Sequence, residues 1–372
     1  MSLERIAVSC GGTGGHFYPG LAMALECRKQ GKKVLLFIGG TNAPAQCQIA
    51  EKAGIEAVRI PASPITLRPK GAFSFLRNLL PGVFLSVKAI RQHRIQALLC
   101  MGSFTSLPPA IGAKFAHIPL FLHDGNARLG KANKFLSRWA EFLALSFPSP
   151  DEKLLQCPCV LTGMPLRPEL LEGFISREEA LKKIKEKWNV AFDNTPILLA
   201  FGGSLGAATL NEAIASYGES FPERKFQLIH LAGSGKTGNL EERYKKTLKN
   251  FLLLEGTPEM ALLYSAADLV ICRSGGSTVA ECSIAGKYTL LIPYPFAAEN
   301  HQKDNALFLT ENGGAEILYD DSSLKEKLAG KINAFLDSPG SFREKGSLLR
   351  RKGFPRAAAT LLDLMEKNLS KE

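Results

Sequence analysis

Twice in this chain a strand-like run ends abruptly in a cluster of glycines and reopens as a helix, and that repeat limits the fold more than any other feature. The first instance is Arg5-Ile6-Ala7-Val8-Ser9-Cys10, then Gly11-Gly12-Thr13-Gly14-Gly15-His16, then Leu21-Ala22-Met23-Ala24-Leu25 at helical period. The second is Ile197-Leu198-Leu199-Ala200-Phe201 followed by Gly202-Gly203-Ser204-Leu205-Gly206-Ala207. Further apolar runs at Val34 to Ile38, Ala97 to Cys100, Leu120 to Leu122, Gln227 to Leu231, Asp268 to Cys272 and Tyr288 to Ile292 alternate with helical patterns. Such βαβ alternation predicts parallel sheets. At 372 residues, with 45% hydrophobic composition, the chain holds two ordinary cores. The expected architecture is α/β, two doubly wound parallel-sheet (Rossmann-like) domains facing across a cleft. Ser146-Phe147-Pro148-Ser149-Pro150 reads as linker-like, and the boundary is expected near Thr162 to Pro168. The expected divisions are 1–165, 166–340 and a helical closing segment, 341–372, that packs back on the N-terminal domain.

A glycine turn between a buried strand and a helix lets bare backbone approach an anion that the helix N-terminus attracts. A purely structural glycine turn is the alternative. The dinucleotide fingerprint does not fit: Phe17 stands where its third glycine belongs, and Val34 to Ile38 ends in Gly39-Gly40 where a ribose-binding acid is usual. Gly233-Ser234-Gly235-Lys236-Thr237 resembles the end of a P-loop, but His230 occupies the first glycine position, so it is read as an ordinary loop.

Three more clusters end strands. In Cys272-Arg273-Ser274-Gly275-Gly276-Ser277-Thr278-Val279-Ala280-Glu281, small residues precede a helix that carries an acid suited to a ribose diol, or simply an exposed helix carboxylate. His301-Gln302 with Asn305 supplies amides that act as donors and acceptors toward sugar hydroxyls. His123-Asp124-Gly125-Asn126 offers similar chemistry in the other half.

The net charge of +11 is uneven. No acidic residue lies between Glu56 and Asp124, while Arg59, Arg68, Lys70, Arg77, Lys88, Arg91, Arg94 and Lys114 do. Phe73, Phe75, Leu76, Leu79, Leu80, Val83, Phe84, Leu85 and Val87 share that stretch, a mixture closer to an anionic-membrane contact than to a nucleic-acid reader. A core helix with a solvated basic face is the competing explanation. The eight cysteines lack metal spacing and are expected as free thiols in a reducing cytosol. No leader sequence or bilayer-length apolar run is read, so membrane contact is expected to be peripheral.

Together these stretches resemble the MurG family of bacterial peptidoglycan glycosyltransferases, which add N-acetylglucosamine to lipid I to make lipid II. The resemblance rests on Gly11-Gly12-Thr13-Gly14-Gly15-His16 with Pro19-Gly20-Leu21-Ala22, Thr162-Gly163-Met164-Pro165-Leu166-Arg167, Gly202-Gly203-Ser204, Cys272-Arg273-Ser274-Gly275 and His301-Gln302 with Asn305-Ala306. It implies the GT-B fold and an inverting transfer of N-acetylglucosamine from UDP-N-acetylglucosamine to undecaprenyl-diphospho-MurNAc-pentapeptide, at the cytoplasmic face of the bacterial inner membrane. It also implies a polyprenyl-diphosphate-linked acceptor and an anionic membrane surface as partners, with no nucleic acid.

The implied roles are specific. Thr13, Gly14 and Gly15 with Asn126 line the sugar and acceptor side, and His16 is the candidate general base. Arg167 and Ser204 contact the nucleotide and its diphosphate, the backbone near Thr257 the uracil, Glu281 the ribose and Gln302 the transferred sugar. Gly276, Ser277, Thr278 and Asn305 complete the substrate-binding set. No Asp-x-Asp occurs, so no metal and no cofactor are expected. The sequence departs from the family pattern at Gly102-Ser103-Phe104 (usually G-G-Y), His123-Asp124-Gly125-Asn126 (usually H-E-Q-N), Leu205 (usually glutamine) and Gly276-Ser277 (usually alanine-leucine). A GT-B transferase with a different lipid acceptor is therefore the alternative. A UDP-N-acetylglucosamine 2-epimerase is disfavoured, because only Glu281 and Glu299 stand near the motifs as acid/base carboxylates.

Overall fold

Consecutive apolar residues form strands buried on both faces here, because helices cover each side of a parallel sheet. The computed structural model describes residues 2–64, 69–203 and 206–370, with the side chains of 69–74 and Ala298 left aside. The chain divides into two compact units, Met1–Arg167 with Phe354–Glu372, and Pro168–Gly353.

In the first unit β1 (Arg5–Gly11), β2 (Lys33–Gly39), β3 (Glu56–Ile60), β4 (Ala97–Cys100), β5 (Leu120–Asp124), β6 (Phe142–Leu145) and β7 (Cys159–Leu161) pair in parallel, in the order β3-β2-β1-β4-β5-β6-β7. Strand order reverses between β1 and β4, which makes the crevice beyond their carboxyl ends the topological switch point. Side chains alternate between two cores. Ile6, Val8 and Cys10 face the helix Gly14–Lys29, and Ala7 with Leu98 faces the helices Pro69–Gln92 and Leu107–Phe115. A Cβ on Gly20 would lie 2.5 Å from Cys10 Cβ, so glycine at that position lets the first helix sit directly on β1.

The linker-like 146–150 stretch is a corner of this unit. Ser146 N donates to Asp124 O at 3.0 Å, Phe147 is buried, and the chain continues into β7. Residues 354–372 return to the first unit, where the helix Ala357–Leu369 buries Leu361, Leu362 and Met365 in the core and Lys32 pairs with Glu366. At roughly 1.5–3 kcal/mol per buried aliphatic side chain, that helix contributes materially to the unit's stability. Residues 341–353 belong to the second unit.

The second unit repeats the design with β8 (Ile197–Phe201), β9 (Gln227–Leu231), β10 (Phe251–Leu254), β11 (Leu269–Cys272), β12 (Tyr288–Leu291) and β13 (Ala315–Ile317), in the order β10-β9-β8-β11-β12-β13. Its switch point lies between β8 and β11. All eight cysteines are free thiols.

Candidate functional site

In the first unit the carboxyl end of β1 enters a turn that only glycine makes without strain. Gly11 has φ 126° and Gly12 φ 78°, and a Cβ on Gly11 would stand 2.6 Å from Gly39 O. The chain then reverses into the helix Gly14–Lys29, whose first turn carries no acidic residue and whose cap, Thr13, makes no side-chain bond to the helix amides. Thr13 Oγ1 lies 3.0 Å from His16 Nδ1 instead. Pro19 has no N–H, so Gly15 O receives no helical bond from it. The result is a positive helix end with half-exposed amides and an oriented imidazole.

The turn after β4 closes on this imidazole. Gly102 has φ 88°, and a side chain there would begin 3.4 Å from His16 Cδ2 and 3.6 Å from Nε2. Glycine at 102 thus keeps the approach to the ring open. Behind it, Asn133 Nδ2 donates to His123 O at 3.0 Å and to Asp124 Oδ2 at 2.9 Å.

The cluster from His123 to Asn126 divides in two. His123 is buried, with Nε2 3.3 Å from Gly163 O and 3.1 Å from Ser146 Oγ, and burial pushes its pKa down to about 4, so the ring is neutral. A carbonyl only accepts, so Nε2 carries the hydrogen. Asp124 is buried too. It accepts from Gly130 N at 2.8 Å, Asn126 N at 3.1 Å and Asn133, yet burial outweighs these bonds and raises its pKa to about 6. These two groups shape the 124–133 loop from within, while Asn126 is half-buried beside them. Arg167 also belongs to the first unit, where its guanidinium lies 4.7 Å from the Tyr18 ring centre.

In the second unit the turn after β8 is again glycine-dependent, with φ 84° at Gly203 and 66° at Gly206. Ser204 and Leu205 fall outside the described residues. The loop of Gly233 to Thr237 follows β9 rather than opening a helix, but it abuts this turn. Lys236 lays its stem on Gly206 and brings Nζ to 3.5 Å from Gly206 O.

The helix Gly276–Ala285 starts just beyond β11, and the Ser277 Oγ within its first turn is shielded from solvent with no partner among the described residues. Thr278 is half-buried on the same turn. One helical turn further on, Glu281 Oε2 accepts from Tyr264 Oη at 3.2 Å. Gln302 Oε1 accepts from Tyr294 N at 2.9 Å, which leaves its amide nitrogen as the donor end. Asn305 is fully buried and donates to Ser274 O at 3.2 Å, so it supports the turn from behind. Thr257 Oγ1 accepts from Glu259 N at 3.2 Å and thereby shapes the segment between β10 and the helix Met260–Ala266.

Three supporting side chains, Tyr264, Thr209 and Asp320, escape sequence reasoning. Arg273, at the end of β11, donates to Ile292 O and Pro293 O, to Thr209 Oγ1 at 3.0 Å and to Asp320 Oδ2 at 2.6 Å. Thr209 in turn donates to Asp320 at 2.7 Å. One guanidinium therefore ties the helix after β8 to the ends of β11, β12 and β13. Tyr264, Thr209 and Asp320 carry no motif and meet their partners only through topology. A cavity of about 430 Å³ lined by Lys114, His117, Trp139 and Glu141 lies at the amino ends of β5 and β6, at the opposite end of the sheet from the carboxyl-end crevice where such folds bind ligands. Among the described residues no group of three His, Cys, Asp or Glu side chains is arranged to hold a metal ion.

Residues 6–144 match the glycosyltransferase family 28 N-terminal domain and residues 197–361 its C-terminal domain. A protein of Desulforudis audaxviator named UDP-N-acetylglucosamine–N-acetylmuramyl-(pentapeptide) pyrophosphoryl-undecaprenol N-acetylglucosamine transferase is 33% identical, the match covering 98% of each chain. A protein of the same name from Hahella chejuensis is 34% identical over 96% of each chain. The chain belongs to the MurG branch of glycosyltransferase family 28. The crystal structure of Acinetobacter baumannii MurG superposes with a TM-score of 0.75 at 25% identity, covering 98% of this chain and 99% of that one. The MurG-family fold is GT-B, and each of its two Rossmann-like units carries one glycine turn at its switch point. Within this MurG-family chain the departures at 102–104 and 123–126 sit around His16 and Asn133, and those at 205 and 276–277 belong to the second unit.

Proposed function

We propose that this chain is an inverting hexosyltransferase that moves N-acetylglucosamine from UDP-N-acetylglucosamine to undecaprenyl-diphospho-MurNAc-pentapeptide, lipid I, giving lipid II for peptidoglycan synthesis. The observation that carries this reading is the edge of the second unit. There an oriented carboxylate (Glu281), a helix N-terminal hydroxyl with no partner among the described residues (Ser277) and a sugar-type amide (Gln302) adjoin a glycine turn suited to an anion. Relatives matched over nearly the whole chain bear the name of this transfer.

In this reading Glu281 takes the ribose hydroxyls, the backbone near Thr257 the uracil, and Gln302 the transferred sugar. Ser204, Gly276, Ser277 and Thr278 with Arg167 serve the diphosphate side. Thr13, Gly14, Gly15 and Asn126 serve the acceptor.

The acceptor hydroxyl oxygen attacks the anomeric carbon as the bond from that carbon to the UDP oxygen breaks. The hydroxyl proton passes to His16, and the electron pair of the broken bond leaves on UDP. Thr13 decides which nitrogen can act. When its hydroxyl accepts from Nδ1–H, Nε2 is the basic position, and the Thr13 proton is left to donate to substrate. Helix N-termini aimed at the diphosphate stabilise the charge that develops on the leaving group.

The acceptor's lipid tail gives the Pro69–Gln92 helix its use. Leu76, Leu80 and Phe84 recur every fourth residue and are 60%, 75% and 69% exposed, with Arg77, Lys88 and Arg91 exposed alongside. Phe75, in contrast, packs against the core. No helix among the described residues is long and apolar enough to cross a membrane. The enzyme in this reading rests peripherally on the anionic cytoplasmic leaflet of the plasma membrane.

The deciding assay supplies UDP-N-acetylglucosamine with and without lipid I. UDP release that requires lipid I is the expected result. Release without acceptor, or accumulation of an epimerised UDP-sugar, overturns the reading. Replacing Leu76, Leu80 and Phe84 with serine should lower binding to anionic liposomes while leaving UDP affinity intact.

A further inference from the structure

The phenol of Tyr264 is fully buried, yet it reaches the Glu281 carboxylate at the proposed nucleotide edge of the second unit. Its ring is fixed on two sides. Phe201, the last residue of β8, meets it edge-on with ring centres 6.0 Å apart, and Phe174 lies 6.4 Å away. With the ring held, the hydroxyl has one place to go: 3.2 Å from Glu281 Oε2, with Cys282 Sγ 3.9 Å away as a weak partner. Burial pushes the phenol above its usual titration range, so it remains a donor at every working pH.

We infer that Tyr264 is a positioning residue for nucleotide recognition, holding the Glu281 carboxylate in the orientation that accepts the ribose hydroxyls. The inference rests on the assignment of Glu281 to the ribose. A glutamate side chain has three rotatable bonds, and a ligand that must first order them binds more weakly. A hydrogen bond from a rigid donor to one carboxylate oxygen fixes the plane of the group, and therefore where the other oxygen presents its lone pairs. The placement of Tyr264 in the chain adds a consequence. It is the fifth residue of the helix Met260–Ala266, which begins directly after the 257–259 turn assigned to the uracil. One short helix thus sets both the base-side backbone and the ribose-side carboxylate.

The test compares UDP with 2′,3′-dideoxy-UDP by calorimetry on the full chain, in the wild type, Tyr264→Phe, Glu281→Gln and the double variant. Tyr264→Phe keeps the ring packing and removes only the donor. UDP affinity should fall about 10- to 100-fold in Tyr264→Phe, the usual range for one hydrogen bond to a charged group. Dideoxy-UDP affinity should stay within twofold. In the Glu281→Gln background the same change should cost less than twofold. Equal weakening of both nucleotides, or an undiminished effect in the double variant, would show that Tyr264 acts through packing and overturn the inference. So would a Tyr264→Phe protein that distinguishes the two nucleotides as well as the wild type does. A wild-type chain that binds both equally overturns the Glu281 assignment itself, and the Tyr264 inference falls with it.

Discussion

Removing the Asp320 carboxylate should strongly destabilise the second unit, because Asp320 is the only carboxylate paired with Arg273 among the described residues. The two side chains are 8% and 9% exposed and meet at 2.6 Å. In Asp320→Ala the guanidinium keeps Ile292 O, Pro293 O and Thr209 Oγ1, so its hydrogens remain partly satisfied. What disappears is the opposite charge. Breaking one side of a buried pair typically costs about 3–5 kcal/mol, a large part of the roughly 5–15 kcal/mol that a domain has. For a unit of this size each kcal/mol lowers Tm by about 2–4 °C, so the transition should fall by roughly 6–20 °C. Replacing both partners with apolar residues, as in Arg273→Met with Asp320→Leu, removes the stranded charge and should recover most of that loss. Scanning calorimetry of the wild type and the two variants reads the result directly. A shift under about 2 °C for Asp320→Ala, or a double variant no better than the single one, would refute the account of Arg273 as a buried charge that needs its partner.

Other outcomes follow from the same geometry. His16→Ala should lower turnover by about 10² to 10⁴ while UDP affinity in calorimetry stays within threefold; equal losses in both would argue against proton transfer. Gly11→Ala should cost roughly 2–4 kcal/mol in thermal unfolding, since φ is 126° and the new Cβ would meet Gly39 O at 2.6 Å and Gly39 N at 2.9 Å, both backbone atoms that cannot swing aside. Turnover should be unaffected by a chelator, and loss that magnesium restores would contradict the metal-free mechanism. Acid should loosen the second unit before the first. Burial lowers His230 to about 4 in the fold, against about 6.5 when unfolded, so its stabilising contribution is complete above pH 6.5 and falls by about 3 kcal/mol towards pH 4. His123 behaves alike in the first unit, but Asp124, raised to about 6, binds its proton more readily folded than unfolded and gains stability over nearly the same interval. Hydrogen exchange at pH 7 and pH 5, read separately for the two units, should show the larger loss of protection in Pro168–Gly353.

The central strands were legible because a strand covered on both faces must be apolar throughout, as in Leu198 to Phe201 or Leu35 to Ile38. The outer strands were not. Glu56–Ile60 and Ala315–Ile317 are short and mixed in polarity, and only the pairing of β3 with β2 and of β13 with β12 makes them strands. The glycine turns were legible for a conformational reason, since Gly11, Gly12, Gly203 and Gly206 take positive φ that other residues resist. Polar residues at strand ends were harder to read. His123, Asp124 and Asn305 carry the same chemistry as ligand-facing residues, but burial depends on what packs over them, and no local pattern records that. The partners of Arg273 were invisible for the same reason, since Thr209 comes from the helix Ala208–Ser220 and Asp320 from the segment after β13, and only topology brings them to the end of β11.

Ser103 shows how local chemistry and site geometry conflict. It takes φ 71° and ψ 162°, a region that glycine alone occupies readily, at the position where the family usually has a second glycine. Its neighbour Gly102 faces His16, so the strain sits in the loop that closes on the proposed base. Backbone strain of this kind costs about 1–3 kcal/mol, while glycine adds about 0.4–1 kcal/mol of unfolded-state entropy. Ser103→Gly should therefore stabilise the first unit by about 1 kcal/mol, a rise of roughly 2–4 °C in its transition. The Ser103 hydroxyl also lies 3.3 Å from where a Cβ on Gly12 would be, so it lines the first glycine turn as well. If that hydroxyl serves the acceptor, Ser103→Gly should raise KM for the lipid-linked substrate without changing UDP affinity. A Tm that falls on substitution would mean that the surrounding loop, and not the residue itself, prefers this conformation, and that the strain argument is wrong.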